Sequence, residues 1–287
     1  HRMTLNHGFV VIDKPSGFTS HDVVAQLSKN LGTKRVGHAG TLDPMATGVL
    51  VLGINNATKF LQYITDGKKR YLATIRLGQS TSTDDREGHV LSTSDTSKVS
   101  ESEIRDLLAK QVGTIMQVPS KVSAIKIGGE RAYDLVRQGK EVDIPAREVT
   151  IHSLSILGIR HEDFIDVDID VECSAGTYIR SIARDLGESL GVGGHLISLR
   201  RTEVSPFTLA DCSAIDNSEV RPLAESIAAV MPIRHIDLQE MQELSFGRSL
   251  TKSEFSGVGV AIGPNGDAVA ILENREYGAQ PLTVFNS

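Results

Sequence analysis

Two periods organise the apolar positions of this chain, and the places where one gives way to the other mark its elements. Gly8 to Asp13 is a short apolar run that reads as a buried strand, broken by the turn-forming Lys14-Pro15-Ser16-Gly17. Ser20 is placed to cap a helix whose Val23, Val24, Leu27 and Leu31 recur at helical spacing, with Gly32 just past its end. A glycine-rich loop from Gly37 to Gly48 leads into a second apolar strand, Val49 to Gly53, and Asn56 is the expected cap of a short helix carrying Phe60, Leu61 and Ile64. Between Arg70 and Gly78 the period becomes two, so Tyr71, Ala73, Ile75 and Leu77 share one face of a half-buried strand. Residues 79–98 are polar, with Asp84, Asp85 and Glu87 among them, and read as a solvated loop. Ser100 and Glu103 have the spacing of a capping box, which predicts a helix through Leu107 and Leu108.

The pattern weakens between Val118 and Ile144, where Lys121, Lys126, Arg131, Arg137 and Lys140 surround Gly128-Gly129; by itself this is a solvated surface segment. A further strand is expected from Glu148 to Gly158. The clearest strand follows: Ile165, Val167, Ile169, Val171 and Cys173 alternate with Asp166, Asp168, Asp170 and Glu172, which predicts one core face and one acidic, wet face. After Ser174 to Tyr178 the period turns helical through Ile179, Ile182, Ala183, Leu186 and Leu190, and such strand-to-helix junctions often mount functional side chains. Turn-formers and charges between Asp211 and Pro232 predict a boundary. Beyond it Val258 to Ile262 and Ala268 to Leu272 flank Asn265-Gly266 as a hairpin, and Val284 closes a small β-rich tail.

Composition narrows the function classes. With 40% hydrophobic and 23% charged residues in 287, the chain reads as an ordinary folded protein of one large or two smaller domains. Cys173 and Cys212 are its two cysteines, too few for a disulfide scaffold or the usual zinc cage, and a reduced cytoplasmic setting is expected. Apolar runs such as Val49 to Leu52 fall far short of the roughly 20 residues a spanning helix needs, and no leader pattern is read; His1 and Arg2, ahead of Met3, are set aside as an appended remnant. The net charge of −6 shows no strongly basic footprint. Residues 1–210 hold 25 basic and 25 acidic residues, whereas 211–287 hold 5 and 11, so any phosphate recognition is expected from local patches in the first 210.

Neither a phosphate-binding Walker loop nor a strand-mounted G-x-G-x-x-G is present, and the nine histidines form no H-E-x-x-H. What stands out is Arg35-Val36-Gly37-His38-Ala39-Gly40-Thr41-Leu42-Asp43-Pro44, running through Ala46-Thr47-Gly48 into an apolar strand. Glycines let backbone approach a ligand, and Pro44 biases Asp43 toward an extended conformation. Asp43 so placed is a candidate nucleophile or base. Taken alone, the pattern is better explained by an Asp bonding its own turn.

Read together, Val36 to Phe60, G-F-V-V-I-D-K-P-S-G-F-T-S at Gly8 to Ser20, Arg70 to Gly78, C-S-A-G-T-Y-I-R at Cys173 to Arg180 and H-L-I-S-L-R-R-T at His195 to Thr202 resemble the TruB-type tRNA pseudouridine synthases, over about residues 8–210 and in order. The resemblance implies an α+β pseudouridine synthase fold, a mixed, mostly antiparallel sheet flanked by helices. It implies a catalytic domain over 1–225 with a thumb-like RNA-binding segment at about 120–147, and a small β-rich PUA-like domain over 226–287. The implied activity is isomerisation of uridine-55 in the T-arm of tRNA to pseudouridine with no cofactor and no metal.

The resemblance also assigns roles. Asp43 matches the catalytic Asp and Arg180 its partner; an adjacent guanidinium favours the ionised carboxylate and fixes its direction. Tyr71 matches the aromatic that stacks on the flipped base, Tyr178 a second uridine contact, Leu199 an apolar wall, and His38 the ring that fills the vacated stack. Extruding a base costs a few kcal/mol, which a filler, a stacking face and a dry pocket offset together. Lys68, Lys121, Lys126, Arg131, Arg200 and Arg201 are the candidates for the RNA backbone, in a thumb whose basic residues outnumber acidic ones by 6 to 4. Lys14-Pro15 is expected to be structural, a turn supporting the catalytic loop. The acidic tail is expected to pack on the core or touch only the tRNA end. The partner is tRNA and the protein is expected to be monomeric, without membrane attachment. Two other classes stand beside this reading: a non-catalytic RNA-binding or RNA-folding module on the same scaffold, and a hydrolase pairing Asp43 with Asp13, for which nothing supplies the raised pKa of a general acid.

Overall fold

The computed structural model describes residues 7–120 and 144–286. Its strands are β1 (Gly8–Lys14), β2 (Val36–His38), β3 (Thr47–Ile54), β4 (Lys69–Leu77), β5 (Gln79–Thr81), β6 (Val90–Thr93), β7 (Gly113–Gln117), β8 (Arg147–His161), β9 (Ile165–Cys173), β10 (Gly194–Val204), β11 (Phe207–Thr208), β12 (Arg221–Pro222), β13 (Ile233–His235), β14 (Val258–Ile262), β15 (Ala268–Arg275) and β16 (Gly278–Val284). The helices are α1 (Ser20–Leu31), α2 (Leu61–Thr65), α3 (Glu101–Ala109), α4 (Ile179–Leu190), α5 (Leu223–Ser226) and α6 (Leu238–Ser245). Among the described residues one large sheet runs β12-β1-β3-β10-β4-β9-β8-β7, with β2 paired to β3 and β11 to β10. Its ladders are antiparallel except β3–β10, where Arg200 and Arg201 lie opposite Thr47 and Gly48.

The period-two reading of β9 holds at every position: all five apolar residues are buried and all four acidic ones are half-buried. Burying the four aliphatic side chains among them stabilises the sheet by roughly 1.5–3 kcal/mol each. They join Ile75 and Leu77 of β4 and Ile182 and Leu186 of α4 in one core. The acidic face is not simply wet, because Asp166, Asp168 and Asp170 bind Arg76, Arg160 and Arg70 on the flanking strands and Glu172 binds Lys68, just ahead of β4. Two glycines allow the close contacts that bring β10 into place. At Gly48 (φ +106°) a Cβ would lie 2.1 Å from the Arg201 carbonyl oxygen, and at Gly187 of α4 it would lie 2.1 Å from the Gly194 nitrogen.

Local details depart from expectation where tertiary contacts compete. Thr19, not Ser20, caps α1, in a capping box with Asp22. Ser20 is buried instead, its hydroxyl exchanging hydrogen bonds with both backbone groups of Leu42. Asn56 caps nothing, since a 3₁₀ turn over Asn55–Phe60 precedes α2 and the Asn56 N–H donates to His7 Nδ1. The start of the glycine-rich loop is the short strand β2. Residues 79–98 are not a plain solvated loop: β5 and β6 pair, and the turn between them carries the buried Asp85. The Ser100–Glu103 capping box forms as expected.

Val258–Ile262 and Ala268–Arg275 form the expected hairpin inside a separate sheet, β13-β14-β15-β16. Its Val260, Ile262 and Ile271 pack with Phe9, Val11, Val49 and Val51 from the back of the large sheet, and Phe60 stacks on Phe285. The tail therefore rests on the core. Among the described residues no helix is long and apolar enough to cross a membrane.

Candidate active site

The loop between β2 and β3 is held by buried polar groups beneath it. Lys14 is fully buried and its ammonium donates to the carbonyls of Pro15, Phe18 and Pro44. The expected structural role of Lys14 is thereby met, and burial pulls its pKa down to about 8 against the favourable charge of Asp43. From the other side Arg201, 2% exposed, donates to the carbonyls of Gly40, Thr41 and Val49. With Ser20 clasping Leu42, the chain on each side of Asp43 is tied down while its carboxylate stays partly exposed.

Arg180 lies in the first turn of α4 with only 7% of its side chain exposed. Its guanidinium binds Asp43 and, at 2.9 Å, the Oδ2 of Asp85. The other oxygen of Asp85 accepts from the Thr83 hydroxyl at 2.6 Å and the Glu87 N–H at 2.9 Å. One arginine thus joins two carboxylates, one sealed in the protein and one facing outward. A buried guanidinium held at two points has little rotational freedom, so it fixes the outer carboxylate. Beside it, Asp84 has a positive φ of 62°, and burial raises its pKa to about 6 against the pull of Arg184 and Arg180. The turn docks on β10, where the Leu196 N–H donates to the Asp84 carbonyl and buried His195 bonds the Gln79 carbonyl.

Tyr71 is half-buried at the start of β4, facing Arg201 across the ladder, and burial raises its phenol pKa. Leu199, 9% exposed, lies opposite Ala73 and lines a cavity of about 480 Å³ shared with Ser16, Met45, Thr47, Arg86 and Arg200. His38 is half-buried on β2, its Nδ1 is buried without a hydrogen-bond partner, and burial lowers its pKa. Tyr178 sits half-buried two residues before Arg180. Among the described residues no three His, Cys, Asp or Glu side chains gather as a metal cage.

The backbone-binding candidates divide. Arg201 is inside the protein, spent on three carbonyls, and cannot reach a phosphate; its neighbour Arg200 points to the other face and pairs with Asp13 at 2.8 Å. Asp13 is therefore engaged away from any carboxylate pair with Asp43. Lys68 is exposed and holds Glu172 at 2.8 Å. Lys121, Lys126 and Arg131 lie outside the described residues. Asp85 reads as part of a solvated loop because an acidic turn ordinarily faces water; the hint was two nearby threonines, Thr83, whose hydroxyl donates to its carboxylate, and Thr81, whose hydroxyl donates to its backbone carbonyl.

Three family models cover most of the chain: the N-terminal domain of TruB family pseudouridylate synthase over residues 28–179, the tRNA pseudouridylate synthase B C-terminal domain over 180–226, and the tRNA pseudouridine synthase II C-terminal region over 231–286. This chain belongs to the TruB family. It is 48% identical to the tRNA pseudouridine synthase B of Corynebacterium diphtheriae, over 97% of this chain and 95% of that protein. To that of Thermobifida fusca it is 48% identical, over 97% and 98%. In fold it is similar to a chain of the archaeal box H/ACA sRNP Nop10–Cbf5 complex, with a TM-score of 0.70 at 22% identity over 98% of this chain and 86% of that one. The TruB relationship accounts for the mixed, mostly antiparallel sheet and for the separate C-terminal sheet.

Proposed function

We propose that this TruB-family pseudouridine synthase isomerises uridine-55 in the T-arm of tRNA, with Asp43 as the attacking group. The observation that carries the reading is the Asp43–Arg180–Asp85 chain, which places one outward-facing carboxylate on a rigid, water-poor support. Ionised Asp43 attacks the nucleoside as the uracil detaches. The uracil turns and its C5 displaces the Asp43 carboxylate from C1′; the N1–C1′ bond is lost, a C5–C1′ bond replaces the transient Asp43–C1′ bond, and the C5 proton is exchanged for one on N1. Tyr71 supplies the stacking face, Tyr178 and Leu199 the walls, and His38 the filler for the vacated stack. Arg200 and Lys68 reach RNA phosphates only by sharing or leaving their carboxylates, so most of the phosphate contact falls to the 120–147 thumb.

The domain reading is a catalytic unit over 1–225 and a PUA-like unit over 226–287, acting as a cytoplasmic monomer. Arg234, Arg248 and Arg275 of the C-terminal unit each hold a carboxylate, in keeping with a domain that adds little phosphate affinity. The test is single-turnover conversion of an unmodified T-arm stem-loop, read as release of label from uridine C5. Asp43→Asn should abolish release while stem-loop affinity stays near that of the native protein, because binding rests on phosphate and stacking contacts. Appreciable turnover by the Asn variant rules out the assignment.

A further inference from the structure

The helix that bears Arg180 begins without a cap of its own. Tyr178, at its N-cap, makes no side-chain capping hydrogen bond, and the first turn holds no acidic residue to favour the helix dipole. First turns left in that condition fray, and Arg180 is in this first turn. The missing cap comes from another element. Gln117, at the end of β7 and 2% exposed, accepts from the Tyr178 N–H at 2.8 Å through Oε1 and donates to the Tyr178 carbonyl at 3.0 Å through Nε2. The same carbonyl accepts the Ser181 N–H, so the amide clamps the peptide from which the helix departs.

The helix returns the contact. Ser181 Oγ and Arg184 donate to the Val118 carbonyl at 2.8 and 2.7 Å, and Arg184 reaches the Pro119 carbonyl at 3.4 Å. The end of β7 and the start of α4 therefore form one hydrogen-bonded unit, with both polar atoms of a buried amide spent on a single residue.

We propose that Gln117 is a positioning residue for catalysis: by capping α4 in trans it holds Arg180 against Asp43 and Asp85, and it holds Tyr178 at the uridine pocket. The proposal rests on the reading that Arg180 directs Asp43. Gln117 touches no reacting atom; it acts through the helix start. A displacement of Arg180 by an ångström is enough to lose the carboxylate's alignment, at a cost of about 10- to 100-fold in rate.

The experiment compares native protein, Gln117→Met and Arg180→Lys in single-turnover conversion of an unmodified T-arm stem-loop, alongside stem-loop Kd, melting temperature and amide exchange at Tyr178–Ser181. Methionine keeps the volume and removes both hydrogen bonds. The expected result is a rate lowered about 10- to 100-fold, a Kd within about threefold, and faster exchange at the helix start. Combined with Asp85→Asn, the loss should be smaller than the product of the single losses, because both changes loosen the same guanidinium. A native rate in a folded Gln117→Met, a lower melting temperature with an unchanged rate, or full multiplicativity with Asp85→Asn each overturns the proposal. If the Met variant does not fold, Gln117→Asn decides by the same readouts, since its shorter amide cannot span both groups of Tyr178. Full activity of Arg180→Lys would instead sink the reading of Arg180, whereas a crippled Arg180→Lys beside a fully active Gln117→Met would sink only the role of Gln117.

Discussion

Two populations of cations occupy neighbouring parts of this sheet and do different work. On the outer face, Arg70, Arg76 and Arg160 each hold a carboxylate across a ladder and Arg200 holds Asp13 from two strands away, all with a third or more of the side chain in water. Such pairs add little stability, since water already solvates both charges. Beneath the Asp43 loop, Lys14 and Arg201 are buried and bind backbone carbonyls instead. Carbonyls satisfy the donors without neutralising the charge, so positive potential is retained under the outward carboxylate. Arg180 is the exception in the interior, holding Asp43 and Asp85 directly. The contrast teaches that burial and partner type, rather than the presence of a basic side chain, decide which cation holds the Asp43 loop in place.

That contrast can be broken most forcefully at Arg201. Arg201→Met removes the side-chain donor from two loop carbonyls, Gly40 and Thr41, and from Val49 of β3 and should destabilise the fold by about 3 kcal/mol, read by urea unfolding; a loss below the level of a surface pair would erase the distinction. Tyr71 comes next. Tyr71→Ala should weaken stem-loop binding by roughly 1–3 kcal/mol through loss of the ring, while Tyr71→Phe retains most of it, and equal losses in titration would assign the role to the hydroxyl facing Arg201.

A smaller effect is expected at Asp84, whose carboxyl rises from 3.8 to about 6 on burial. The folded chain then binds an extra proton between those values, so this group's stabilisation is present below about pH 4 and lost as the pH climbs through 6. At pH 7 the buried charge is a cost. Asp84→Asn, which tolerates the positive φ, should raise stability at pH 7 by on the order of 1 kcal/mol, and the gain should vanish near pH 4 in paired melting curves. The smallest effect belongs to the outer face, where Arg70→Gln should shift stability by less than about 1 kcal/mol and salt should shrink the difference further. A larger shift there would mean that the exposed ladder carries load after all.

The sequence by itself determined the elements whose signal is local. β9 is readable because alternation is a property of neighbouring residues, the capping box of α3 because Ser100 and Glu103 stand three apart, and the β14–β15 hairpin because Asn265-Gly266 interrupts two apolar runs. Several ordered motifs also sufficed to place the chain in its family and to single out Asp43 and Arg180 as a pair. What the tertiary structure decided is where polar groups end up when distant segments meet. Arg200 and Arg201 are adjacent and chemically alike, yet the pleat sends one to solvent and the other under the Asp43 loop. Ser20 gives up a cap to clasp Leu42, and Thr19 takes its place. Asp85 has the local sequence of a wet turn and becomes the inner anchor of Arg180, and Gln117 becomes a cap for a helix that begins 62 residues later. In each case the partner is remote in the chain. A buried hydrogen-bonding group must find a partner wherever packing supplies one, and no local pattern names which partner that will be.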